Sequence, residues 1–292
     1  MMKKLVRKYL PEAWQSVLRR AYHRFPLLRR MYYFPQDCLE LLGGRKGALK
    51  PPRSLISVGD GNFEQIGREY LEHFIAIGGL RPHERVLEIG CGIGRMAIPL
   101  ARYLNEAGSY DGFDVARAEI AWCEKNISPR FANFKFHHID VHNAQTNRKG
   151  RIQASSYQFP LADGQYDFVF LTSVFTHMRI DDIANYLREI SRVLKPAGRS
   201  LASFFLLNPE TRALLKAKGS RFRHAHGSSL VIDPKLPEAS IAHEESTVRD
   251  LYRQSGLRVS EPIYYGSWSG RDDFFSSQDI IVAEKDGPRP KQ

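Results

Sequence analysis

The sequence predicts an α/β fold built on a largely parallel sheet, and three observations predict it. An apolar run at 86–89 leads into glycines at alternate positions, Gly90, Gly92 and Gly94, and then into the apolar helical pattern of residues 96–104. Strand, glycine turn and helix in that order bring backbone N–H groups up to a bound cofactor. Beyond them, short apolar runs alternate with helical patterns as far as residue 206. The second and third runs each end on an aspartate, Asp114 and Asp140, at the strand ends where such sheets hold ligands.

The chain of 292 residues is long enough for one domain of ordinary size with additions. Residues 1–53 carry 13 Lys/Arg against 3 Asp/Glu, and the remainder 30 against 29. The basic excess therefore belongs to an N-terminal extension over 1–53, ahead of a main domain over 54–292. A nucleic-acid binder would carry its basic stripe on the folded body, so no specific nucleic-acid partner is expected. Within 1–35, Trp14, Val17, Leu18, Ala21, Tyr22 and Phe25 recur at helical spacing beside Arg19, Arg20 and Arg24. Such a basic amphipathic helix either packs on the main domain or lies on an anionic membrane surface. Three widely spaced cysteines suggest neither a disulfide framework nor a zinc site. No apolar run reaches the roughly 18 residues of a membrane span. The expected setting is cytoplasmic; on the membrane alternative, residues 1–35 would make peripheral contact at the inner membrane face.

Glycines and prolines make 43–62 a linker. Phe63, Ile66, Tyr70, Leu71, Phe74 and Ile77 then mark a helix with one apolar face, ended by Gly78-Gly79. After the glycine turn, the run 109–113 reads as a second strand ending at Asp114, which lies 24 residues past Gly90, near the usual distance for a ribose-binding acid. An ionised Asp accepts two hydrogen bonds and so matches paired hydroxyls; it would equally cap a helix beginning near Ala116. Asp111 is the competing carboxylate, but it sits inside the strand. A helix over 118–127 and a third strand over 134–139, ending at Asp140, come next. The polar loop 142–156 is longer than an ordinary connection, hence functional or mobile. A Phe-Pro-Leu-Ala-Asp-Gly turn at 159–164 precedes a fourth strand, 166–171. Residues 172–178 leave its carboxyl end, a helix spans 182–194, and the turn 195–198 enters a fifth strand, 200–206. In the final third, 247–254 reads as a helix ended by Gly256, and 257–265 and 278–283 read as strands. Residues 209–244 form an insertion rich in Arg, Lys and His, including Arg221, Arg223, His224 and His226.

The spacing at 90–95 argues against a dinucleotide. A G-x-G-x-x-G fingerprint needs a third glycine at 95, where Arg95 stands. Glu88-x-Gly90-x-Gly92-x-Gly94, Asp114, Asp140, the turn at 159–164 and the Glu-Ile-Ser-Arg-Val-Leu-Lys-Pro-Ala-Gly run at 189–198, in this order and at these distances, resemble class I S-adenosylmethionine (SAM)-dependent methyltransferases over about residues 62–285. The resemblance implies a Rossmann-like seven-stranded sheet, mostly parallel with an antiparallel last strand, and a helical extension in front of it. It implies SAM as cofactor, held by Glu88, Gly90, Cys91, Gly92, Gly94, Asp114, Val115, Asp140, Val141 and Thr172. In those roles Asp114 takes the ribose, Asp140 the adenine amine, and the Val141 backbone meets the ring. Residues 209–244 become an acceptor lid, and no metal is expected. The segments 173–178 and 204–208 look most like bacterial members that act on small molecules or glycans. Thr172-Ser173-Val174-Phe175 lacks the Pro-Pro motif of amino-methylating nucleic-acid enzymes and the paired glutamates of protein arginine methyltransferases. Asp181-Asp182 are the only acids nearby, too few for the metal-dependent catechol type.

Methyl transfer from a sulfonium needs no acid for its neutral leaving group, so alignment carries most of the catalysis. An alcohol acceptor must also lose a proton, a task that suits histidine near neutral pH. His177, just past the fourth strand, is the candidate base; it would alternatively only orient the following helix. His224 or His226 on the lid are further candidates, and Tyr157 either lines the acceptor pocket or packs. The expected activity is O-methylation of a small molecule, sugar or glycolipid. The alternatives are N-methylation of an amine, or a SAM-binding protein without turnover attached to a membrane or partner by its basic arm.

Overall fold

The computed structural model describes residues 26–42, 49–56, 62–144 and 146–287. The expected helix over 14–25, most of the linker and the residues beyond 287 lie outside them. The chain divides into two compact units, Met1–Gly61 and Asn62–Gln292. In the first, helix α1 covers Pro26–Leu42, with Met31, Tyr32, Phe34 and Leu39 exposed. Its Asp37 carboxylate accepts the backbone N–H of Arg53 at 2.8 Å and of Ser54 at 3.3 Å.

The second unit opens with α2, Phe63–Ala76, whose N-cap Asn62 accepts the N–H groups of Glu64 and Gln65, two of the donors a helix start leaves unpaired. Then follow β1 Arg85–Ile89, α3 Ala97–Tyr103, β2 Ser109–Asp114, α4 Arg117–Asn126, β3 Phe134–His138, β4 Tyr166–Leu171, α5 Ile180–Val193 and β5 Leu194–Phe204. The expected turn at 195–198 is absorbed into β5, with Ala197 at φ +59° taking the bend. Beyond it come β6 Leu206–Leu207, α6 Pro209–Lys218, β7 His224–His226, β8 Ser229–Val231, β9 Ile241–Glu244, α7 Glu245–Gln254, β10 Leu257–Tyr264 and β11 Asp279–Lys285.

The main sheet has the order β10-β11-β5-β4-β1-β2-β3. Strands β5, β4, β1, β2 and β3 run parallel, while β11 is antiparallel to both β5 and β10. This is the seven-stranded Rossmann-like class I arrangement expected from the sequence. Strand β4 shows how its residues select this position. Phe168 and Phe170 point to one face, where Phe74 of α2 meets them at ring distances of 5.8 and 4.2 Å. Val169 and Leu171 point to the other and join the core with Leu187, Ile190 and Val193 of α5. A strand buried on both faces reads as a continuous apolar run. Burying Phe74 alone stabilises the fold by about 2 kcal/mol.

Strands β7, β8 and β9 of the insertion join β6, just before it, in a second sheet of order β6-β9-β8-β7. Asn208 starts α6 by accepting the Thr211 N–H at 2.8 Å. A separate small core of Phe205, Leu207, Leu215, Phe222 and Ala242, with Trp268 against it, fills this region.

Candidate functional site

Parallel strands change direction of winding between β1 and β4, and ligands of open α/β sheets settle outside the carboxyl ends at such a point. The glycine turn lies there. Gly90, Gly92 and Gly94 adopt φ of +78°, +50° and +77°, a region that costs any side-chain-bearing residue. Space presses as well: a Cβ on Gly90 would stand 2.5 Å from Val174 Cγ2, and one on Gly94 2.7 Å from Ile127 Cδ1.

The turn is pinned to the end of β2. The Phe113 carbonyl accepts the N–H of Gly90 at 2.8 Å and of Cys91 at 3.2 Å. Asp114 Oδ2 accepts the Gly92 N–H, and Oδ1 that of Ala116, both at 2.8 Å. Burial raises the Asp114 carboxyl against the lowering effect of these N–H groups. Val115 packs on the core beside it. Asp111, the competing acid, is engaged by His137 and by the Tyr166 hydroxyl, each at 3.0 Å.

Behind the turn Glu88 is buried and accepts the Tyr110 hydroxyl at 2.5 Å. Burial pushes its carboxyl up to about 8, with the Tyr110 hydrogen bond acting the other way. Glu88 therefore meets neutral pH mostly protonated and braces β1 on β2. Cys91 is buried and its thiol is raised by burial, which suits packing and not nucleophilic attack.

At the end of β3, Asp140 pairs with Arg151 Nε at 2.6 Å, which holds its carboxyl below the usual range. The long loop is ordered by its own backbone. The Asp140 carbonyl accepts the N–H groups of Arg151 and Ile152, buried Val141 bridges Ile152, and Asn147 donates to the Val141 carbonyl at 2.9 Å. Gly150 lies so close to residues 141 and 142 that a Cβ would stand 2.5 Å from their backbone.

At the end of β4, half-buried Thr172 precedes Ser173, which has φ +59°. Ser203 Oγ accepts the Ser173 N–H at 2.7 Å, and both serine hydroxyls donate to Gln278 Oε1, at 2.7 and 3.1 Å. A non-glycine residue held in this region by surrounding bonds is characteristic of ligand sites. His177 closes the 3-10 turn Phe175–His177. Its Nδ1–H donates to the Glu238 carbonyl at 2.8 Å, which places the lone pair of the neutral ring on Nε2. Burial lowers its pKa, keeping that ring neutral at physiological pH. His243 makes a second link from the insertion: buried in β9, it meets Ser229 Oγ and the Met178 carbonyl, each at 3.0 Å.

The structure thus gathers Gly90, Cys91, Gly92, Gly94, Asp114, Val115 and Thr172 around one strand-end edge, with Asp140 and Val141 at the neighbouring β3 end and His177 beyond β4. It sets Glu88 behind the turn. His224 and His226 stand exposed on β7, and Tyr157 packs with Phe113 and Phe159. Sequence reasoning missed Ser173, Ser203, Gln278 and Glu238; only the polar run around Ser173 carried a signal. Among the described residues no group of three or more His, Cys, Asp or Glu forms a metal site, and no helix is long and apolar enough to cross a membrane.

Residues 87–202 match the family model described as a methyltransferase domain. The chain is 31% identical to the 27-O-demethylrifamycin SV methyltransferase of Amycolatopsis mediterranei, over 54% of this chain and 52% of that protein. It is 26% identical to an O-methyltransferase of Aspergillus nomiae, over 51% and 60%. The chain spans about half the length of these curated relatives. The solved structure of PH0226 from Pyrococcus horikoshii OT3 superposes with a TM-score of 0.51 at 16% identity, over 77% of this chain and 92% of that one, a likeness of fold alone.

Proposed function

Residues 87–202 carry a methyltransferase domain of the class I SAM-dependent type, and on that premise we propose that the protein methylates an oxygen of a small molecule, sugar or glycolipid. The donor half of the proposal rests on the strand ends. Three glycines at positive φ let the turn fold tightly at the end of β1, and Asp114 and Asp140 offer carboxylates at the two neighbouring strand ends. These residues fit a ligand with paired hydroxyls and an amino-bearing ring. Bound there, SAM supplies a methyl group on a sulfonium whose departure leaves a neutral thioether.

The chain then has three tasks: aligning the acceptor, excluding water and taking the acceptor's proton. His177 carries the last, and this observation favours oxygen over nitrogen. Its Nδ1–H is committed to the Glu238 carbonyl, so Nε2 is the basic atom of a neutral ring just beyond β4. Two of the curated relatives are named as O-methylating enzymes, in keeping with this choice. The lipid-linked class is supported by α1, whose Met31, Phe34 and Leu39 are exposed and which follows a strongly basic segment in the sequence.

The test is transfer of radiolabelled methyl from SAM into cell extract, followed by identification of the labelled species. His177→Ala should bind SAM as the wild type does and label that species about a hundredfold more slowly. Unchanged labelling by the variant removes His177 from the mechanism; a labelled amine replaces the oxygen reading.

A further inference from the structure

Glu238 makes bonds that neither the fold nor the donor site requires. It sits in the 3-10 turn Pro237–Ala239 of the insertion, with its side chain 14% exposed. Three of its atoms reach three other segments. Oε2 accepts the Ala144 N–H at 3.0 Å, and Ala144 belongs to the ordered loop that begins at Asp140. Oε1 lies 3.4 Å from Arg179 Nε, at the start of α5. Its carbonyl accepts from His177 Nδ1 at 2.8 Å. These partners stand 94, 59 and 61 residues away along the chain. One buried-side glutamate therefore touches the loop beside the proposed adenine end, the helix after β4 and the candidate base.

We infer that Glu238 is a positioning residue that joins the acceptor-side insertion to the donor-side loop, so that occupancy of the SAM site and docking of the insertion favour each other; this rests on the donor reading above. Two properties set the bond apart from an ordinary surface staple. Among the described residues of the loop only Val141 and Ala154 are buried apolar anchors, while Ile152 is exposed, so its remaining order comes from polar bonds such as Asn147 to Val141 and Glu238 to Ala144. The residue that makes the bond is carried by the same turn whose carbonyl sets the His177 tautomer. A ligand that binds against this loop and strengthens its bonds must then stabilise the docked insertion, and by reciprocity the docked insertion must raise affinity for that ligand.

Calorimetry with S-adenosylhomocysteine tests this without knowledge of the acceptor, using the full chain. Glu238→Ala should weaken binding about tenfold with a melting temperature close to that of the wild type. Glu238→Gln keeps an oxygen for the Ala144 N–H and should recover most of the affinity, a rescue that a merely structural contribution to stability would not produce. Lys218→Ala breaks a different bond of the insertion, to Asp272, and should leave affinity unchanged. Hydrogen exchange on the wild type gives a second reading: S-adenosylhomocysteine should slow exchange across residues 238–243, and this slowing should vanish in Glu238→Ala. Wild-type affinity in Glu238→Ala, or exchange in 238–243 indifferent to ligand, overturns the joint while leaving the donor site standing. A wild type that does not bind the ligand overturns the donor reading and the joint together.

Discussion

Asp114 was legible as a ligand-facing acid from its distance to the glycines and its place at a strand end. What the sequence could not show is that its carboxylate is already bonded to Gly92 and Ala116. The group that would meet a ribose is thus also the group that shapes the turn. Asp114→Asn removes the charge and leaves one acceptor oxygen for the two N–H groups of Gly92 and Ala116, so it loosens the turn as well, and charged hydrogen bonds are each worth about 1.5–3 kcal/mol. The variant should bind SAM roughly tenfold to a hundredfold more weakly by calorimetry; unaltered affinity would sink the ribose assignment. Ser173 was legible only as part of a polar run at a strand end, not for its backbone. Its left-handed backbone is imposed by Ser203 and Gln278, residues distant in the chain, and serine itself does not signal it. Glu238 likewise has no local pattern, because its meaning lies in partners at great sequence separation.

At the scale of elements, the strand–turn–helix unit was readable because both its period and its glycines are local. Gly90 lets this be tested. A methyl at that position would suffer both the left-handed φ and the 2.5 Å approach to Val174 Cγ2. Gly90→Ala should lower SAM affinity and the melting temperature together. Adding Val174→Ala opens the space but leaves the dihedral unchanged, so it should restore only part of the loss; full restoration would mean that crowding alone governs the turn. The insertion resisted reading because its strands are two to four residues long, too short for an alternating pattern to register. The loop 142–156 resisted for the opposite reason: its order is made by backbone bridges and by Gly150, with little hydrophobic periodicity to betray it.

For the whole molecule, the parallel sheet and its cofactor edge could be anticipated, while the attachment of the insertion to them could not. That attachment has a pH signature through His243. Burial lowers its pKa from the ordinary 6.5 to about 4, so the folded protein keeps it neutral while the unfolded chain protonates it below 6.5. Stability from this group is complete above 6.5 and is lost as pH falls toward about 4, by ~3 kcal/mol. Asp279 works in the opposite sense. Burial raises it from 3.8 to about 6, so its contribution is present below 3.8 and lost as pH rises through about 6. Comparing wild type with His243→Asn cancels the Asp279 contribution. Denaturant unfolding should show the stability gap between the two proteins narrowing by that ~3 kcal/mol between pH 6.5 and 4. A gap independent of pH would place the His243 titration elsewhere.

The strand order carries a consequence for how the sheet is assembled during synthesis. Strand β10 is made before β11 but lies outside it, and its only neighbour in the main sheet is β11. Until residues 279–285 leave the ribosome, β10 has nothing to pair with and β5 presents an open edge to solvent. Unpaired strand edges are where nascent chains associate wrongly. A chain stalled before residue 279 should therefore hold the β1–β5 half in its parallel order while remaining prone to pairing with other strands.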